Sequence, residues 1–200
     1  MRAELRRWRV GVLQADEQLE SVHFVAAPTD GRLLLPVSRD AAEAHELVLW
    51  IPEESFDAMQ GLLEPRVIGE DDWTPALEGA RDRYLAYHGR ADTVYWMLCG
   101  ADSFKWRDEV IPGVDILTPN AIGSVEGGLL KRLNASGHVA ALARRFAGAT
   151  VSEPVAVGVD ELGIDIRSRV GVLRVRFDQP TTEADAGALI DAMLGEVADG

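Results

Sequence analysis

The chain has 200 residues, 47% of them hydrophobic and 26% charged, which suits one folded domain or two small units sharing the length. Lys and Arg number 20 against 33 Asp and Glu, a formal net charge of −13. Such a charge repels phosphate backbones and anionic headgroups, so neither nucleic acid nor a membrane surface is an expected partner. The single cysteine, Cys99, permits no internal disulfide and follows an apolar run, so it reads as a buried small hydrophobe. No stretch has the pattern of a signal peptide, and none approaches the roughly 20 apolar residues of a spanning helix. A soluble cytoplasmic protein is expected.

In chain order, the first half reads as β. Residues 9–13 and 22–27 are strand candidates. Pro28-Thr29-Asp30-Gly31 then supplies the Asp-Gly of a hairpin turn. The return strand, 32–38, is almost continuously apolar, as expected of a small barrel, and Pro36 within it belongs at an edge or bulge. Residues 47–51 form a further strand. Ser55 to Leu63 fits a short helix, with Phe56, Met59, Leu62 and Leu63 on one face. A clearer helix runs from about Trp73 to Tyr87, with Pro75 in its first turn and Gly89 ending it. Strands are expected at 93–98, 102–110 and 114–117.

The pattern changes near 120–128, where small residues cluster. Residues 129–146 read as a helix that breaks at Gly137. Short strands follow at 155–159, 163–167 and 172–177. A last helix opens at Pro180-Thr181-Thr182, where Thr182 and Asp185 have capping-box spacing. Its expected buried stripe is Ala188, Leu189, Ala192, Met193 and Val197.

The chemistry is sparse. His23, His45, His88 and His138 show no metal-pair spacing, and the patterns Cys-x-x-Cys, Gly-x-Ser-x-Gly and Gly-x-x-x-x-Gly-Lys are absent. No metal site is expected. The acidic runs Glu70-Asp71-Asp72 and Asp160-Glu161 read as solvated loops. Trp8, Trp50, Trp73, Trp96 and Trp106 read first as packing residues, and second as a wall for a flat ligand.

Several segments, in order, resemble a known architecture. Leu130 to Ala135, His138 and Ala140 to Phe146 are similar to the Met-Asn-Ala-Asp-His helix of the C-terminal domain of HugZ-like haem-utilisation proteins. Val157 to Arg167 resembles that domain's Gly-Val-Asp…Gly-Phe-Asp-Leu-Arg signature. Upstream, Asp30 to Leu35 leading into Ser38 is similar to the hairpin of pyridoxamine 5′-phosphate oxidase-like split barrels. Ala80 to His88 and Asp102 to Arg107 resemble a helix and a strand of the HugZ-like proteins. The resemblance implies an α+β chain: a split β-barrel of the FMN-binding type over 1–123, then a small α/β domain over 124–200. It also implies a homodimer with ligand sites at the interface.

The departures decide the functional expectation. Flavin-binding relatives carry a stretch like His-Thr-Arg-Asn-Leu after the hairpin serine, and here it reads Glu43-Ala44-His45-Glu46-Leu47. Carboxylates replace phosphate-holding groups, and the arginine that would pair bidentately is gone. A cofactor-free binding or regulatory protein, with a possible protein partner, is therefore favoured. The alternative is a flavin-dependent oxidoreductase or a haem-binding or haem-degrading protein. If FMN or haem is held, the resemblance points to Ser38, Arg39, His45 and Trp106 around the cofactor, with Trp50, Tyr95 and Trp96 as further aromatics. His138 is the candidate haem ligand.

Overall fold

A short helix α1 (Arg2–Leu5) leads into the hairpin of β1 (Val10–Ala15) and β2 (Gln18–His23) in a computed structural model. The structure describes residues 1–52, 57–91 and 95–198. Next come β3 (Val25–Ala26), β4 (Leu33–Val37), α2 (Arg39–Glu43), β5 (Leu47–Ile51), β6 (Met59–Ile68) and α3 (Pro75–His88). They are followed by β7 (Tyr95–Trp106), β8 (Glu109–Pro112) and α4 (Gly113–Ile116). The eight strands form one antiparallel sheet in the order β2-β1-β5-β6-β7-β4-β3, with β8 on β7. The sheet curls into a split barrel. Its interior holds Leu13, Leu33, Leu35, Leu49, Ile51, Met97 and Phe104, all essentially inaccessible to solvent.

The β3–β4 hairpin forms where the Asp-Gly turn requires it. Gly31 has φ +78°, and a Cβ there would lie 2.3 Å from the backbone of Thr118. All of β4 is buried. Its pairing with β3 covers only Leu33 and Leu34, so Pro36 lies where β7 is the only strand paired to β4 among the described residues. That is the edge position a residue without an N–H needs. The apolar run at 22–27 is split between β2 and β3 at the buried Phe24.

Two sequence expectations fail in this unit. Met59 to Leu63 is strand, not helix, while Ser55 and Phe56 lie outside the described residues. The ladder to β7 overrides the helical spacing: Gly61 packs on the Phe104 ring, where a Cβ would sit at 2.5 Å. Val114 to Leu117, expected as a strand, enters α4 instead. Ile116 and Leu117 turn inward while Val114 is 76% exposed. A stretch this short, with three apolar residues in four, cannot be told from a buried helical turn by periodicity. The two strands expected at 93–98 and 102–110 are largely one, β7, with the end of the second belonging to β8; Thr93 and Val94 lie outside the described residues.

Contacts group the chain into two units, 1–119 and 120–200. The second has its own core. It contains α5 (Gly123–Ala135), α6 (Val139–Ala147), β9 (Val155–Asp160), β10 (Gly163–Ser168), β11 (Gly171–Arg176) and α7 (Glu183–Ala198). The helices break at Gly137, with φ +72°. The sheet order is β11-β10-β9. Side chains from α5 and its approach close the outer edge of β9. Asn134 exchanges two 2.9 Å hydrogen bonds with the backbone of Ala156, and Glu126 accepts from Val159 N–H at 2.9 Å. An exposed edge would otherwise offer those groups to another chain.

The acidic pair expected in a solvated loop is buried instead: Asp160 and Glu161 are each 6% exposed. Arg174 explains how Asp160 is tolerated. It donates to Asp160 and, at 2.9 Å, to Asp165, its direct cross-strand neighbour, with all three side chains buried. These carboxylates hold the guanidinium protonated more firmly than usual, against the opposing effect of burial. The stripe expected on α7 is also partly wrong. Ala186, Ile190 and Met193 face the core, while Ala188 and Ala192 face outward. Thr182 does cap this helix, accepting from Asp185 N–H at 3.3 Å.

Removing one member of a buried ion cluster strands its counter-charges, at a cost of about 3–5 kcal/mol. Arg174→Met should therefore lower unfolding stability by about that amount in urea titrations. A loss under 1 kcal/mol would mean that the two aspartates do not depend on Arg174.

Candidate functional site

The β4–α2 junction is where the resemblance places a phosphate, and its donors are already engaged. Ser38 is the N-cap of α2, and its Oγ accepts from Ala41 N–H at 3.2 Å. The Ser38 N–H points to Glu20 Oε1 at 3.4 Å. Arg39 donates from Nε to Glu43 Oε1 at 2.8 Å, one helical turn on. That hydrogen bond is the main reason its guanidinium clings to its proton more tightly than usual. Across the β1–β2 turn, Asp16 takes the amide donors of the next segment. Its carboxylate accepts from His45 N–H at 3.2 Å and from Glu46 N–H at 3.0 Å. Asp16 sits at φ 50°, a left-handed turn conformation that aspartate tolerates better than most residues. Asp16, Glu20 and Glu43 thus take up the donors of this junction, and Asp40 and Glu46 add further negative charge.

Tyr95 joins this corner, paired in register with Val37 and close enough to influence Arg39. Trp106 does not. Tyr95 and Trp106 are the two ends of the 12-residue β7, roughly 35 Å apart at about 3.3 Å per residue before curling. The tryptophans are mostly committed to the fold. Trp106 Nε1 donates to Asp57 O at 3.1 Å, and Trp50 Nε1 to Gln14 Oε1 at 3.2 Å. Trp96 meets Trp73 and Tyr84 edge-on, with centroids 6.3 and 5.1 Å apart. His45 is exposed on the segment held by Asp16. His138 belongs to the second unit, where it is half-buried, precedes α6 and donates its backbone N–H to Ser136 Oγ. Among the described residues no group of three or more His, Cys, Asp or Glu side chains is placed to hold a metal ion. No helix among them is long and apolar enough to cross a membrane.

One feature escaped the sequence. His88 is folded back onto the barrel, its Nε2 3.2 Å from Phe24 O and its ring 4.7 Å from that of His23 and 4.8 Å from that of Tyr84. No spacing in the chain links residues 23, 24 and 88. Cys99, expected to be buried, is fully inaccessible in the barrel core, and burial pushes its thiol up to about 12, so it is no nucleophile.

No protein-family model matches the chain, and no curated protein matches it. Among solved structures, it is similar to a protein of unknown function from Agrobacterium tumefaciens strain C58. The TM-score is 0.72 and the identity 16%, over 96% of this chain and 92% of that one. A heme-binding protein from Mycobacterium smegmatis is also matched, with TM-score 0.41 and 17% identity over 100% of this chain and 96% of that one. The first likeness is one of fold. The class defined here is an α+β protein with a split-barrel sheet and a small additional α/β unit.

His88 sets a pH dependence. Burial lowers its pKa from 6.5 to about 4, outweighing the hydrogen bond to Phe24. The unfolded chain then takes up the proton first. The contribution is fully present above pH 6.5 and is lost as the pH falls toward 4, by roughly 3 kcal/mol. Urea titrations at pH 7.5 and 4.5 should show this loss. His88→Gln should remove most of that difference, and an unchanged pH dependence in the variant would exonerate His88.

Proposed function

We propose that this chain is a divergent member of the pyridoxamine 5′-phosphate oxidase-like split barrels, joined to a HugZ-type C-terminal unit. It works as a homodimeric, cofactor-free binding or regulatory protein. The observation that carries the reading is the Arg39–Glu43 pair at 2.8 Å. A flavin phosphate needs a cation at this corner, and the available one already has a carboxylate partner built into the same helical turn. Ser38 Oγ is occupied in capping, and Asp16 holds the amides of His45 and Glu46. An arriving dianion must displace Glu43 and then sit beside Asp16, Glu20 and Asp40, none of which can be neutralised by Arg39 at the same time.

Absorption spectra of the purified protein test this, recorded as isolated and again after addition of FMN or haemin and desalting. The expected outcome is no flavin or Soret band above the protein background. Light scattering should give twice 21.8 kDa. A stoichiometric flavin band that survives desalting would overturn the cofactor-free reading in favour of a flavin-dependent oxidoreductase. A stable Soret band that His45→Ala or His138→Ala abolishes would do the same in favour of a haem-binding or haem-degrading protein.

A further inference from the structure

The final helix buries one apolar face and carries a strip of exposed alanines on an outward flank. Ala186, Ile190 and Met193 fill the core of the second unit. The exposed Ala188 and Ala192 lie on an outward flank, bordered by Leu189, which still packs partly on the core. This flank forms one wall of an open groove of about 480 Å³, whose further apolar lining is Met193, Phe146 at the end of α6, and Phe177 and Pro180 after β11.

The rim of that groove is negative. Asp178, Asp185 and Glu196 line it together with the guanidinium of Arg176, and Arg145 reaches Glu196 at 3.8 Å, which leaves one net negative charge among these five groups. The whole of α7 contains Glu183, Asp185, Asp191 and Glu196 and no lysine or arginine. On α7 the lining follows one helical row: Asp185, Ala188, Ala192, Glu196. Carboxylates therefore stand at both ends of a strip of alanines, about 16 Å apart at 1.5 Å per residue. The alanines allow another backbone to approach closely, and the flanking carboxylates select positive charge. A second copy of the same surface is disfavoured, because a two-fold contact would set one acidic α7 against another.

We infer that this groove docks an amphipathic helix of a partner protein, one presenting small apolar side chains between flanking lysines or arginines. The inference rests on the binding role proposed above and names the class of partner. It does not involve the Ser38–Arg39 corner, so the two readings can fail separately.

The test uses the intact chain and a fluorescein-labelled 18-residue helical peptide of leucine and alanine with two lysines near each end. A second peptide has glutamates in place of the lysines. Anisotropy titrations should show micromolar binding of the lysine peptide, at least tenfold weaker binding of the glutamate peptide, and weakening of the former by salt. Ala192→Arg, which adds bulk and charge to the exposed strip, should weaken the lysine peptide at least tenfold. Asp178→Lys with Glu196→Lys should invert the preference. Unchanged circular dichroism and melting temperature establish that each variant folds. Equal binding of both peptides, binding by neither, or indifference to Ala192→Arg would overturn the inference. So would a change in the molecular mass of the unliganded protein in Ala192→Arg, which would make the groove a self-association surface. A flavin band in the spectra described above would overturn only the cofactor-free reading.

Discussion

β7 has ladder partners along both of its edges, with β6 on one side and β4, then β8, on the other. Most of the barrel is referred to it. The central core residues Met97, Cys99 and Phe104 all belong to this strand. β6 follows it from Gln60 to Ile68 by means of one register shift, between Leu62 and Leu63, which lets two long strands bend together. The α3 helix packs its Tyr84 against Trp96 of the same strand. The β4–α2 corner is placed by Val37 pairing with Tyr95, so the geometry of the candidate site is also inherited from β7.

The two units handle their many carboxylates in related ways. At the barrel corner, Asp16 and Glu43 take donors that a ligand anion would need. In the second unit, Glu126 closes a strand edge, and Asp160 and Asp165 share Arg174. Acidic side chains thus stand in for backbone partners and counter-ions inside the protein. The surplus appears outside, on α7 among other places.

The strands at 10–13, 33–37, 47–51 and 155–176 and the α3 helix were legible because short-range signals agree there: alternation, an Asp-Gly turn, and proline and glycine at helix ends. Met59 to Leu63 and Val114 to Leu117 were not, because their state is decided by distant neighbours such as Phe104 and Ala101 that spacing does not reveal. On α7 alanines lie on the outward flank as well as on the inward face, so periodicity alone could not assign the inward one. At the site, the loss of phosphate-holding types was visible in Glu43-Ala44-His45-Glu46. The role of Asp16 was not, since it acts across 29 residues through backbone donors.

Strand order also has a consequence for how this chain is made. β4 is a wholly buried Leu-Leu-Leu-Pro-Val segment whose main partner, β7, begins about sixty residues later. During synthesis β4 must wait, matched only by the two residues of β3. A waiting apolar strand is a template for other nascent chains. Pro36, innocuous in the finished barrel, withholds a donor from any such stack at the fourth of the strand's five residues. It protects the barrel before the barrel exists.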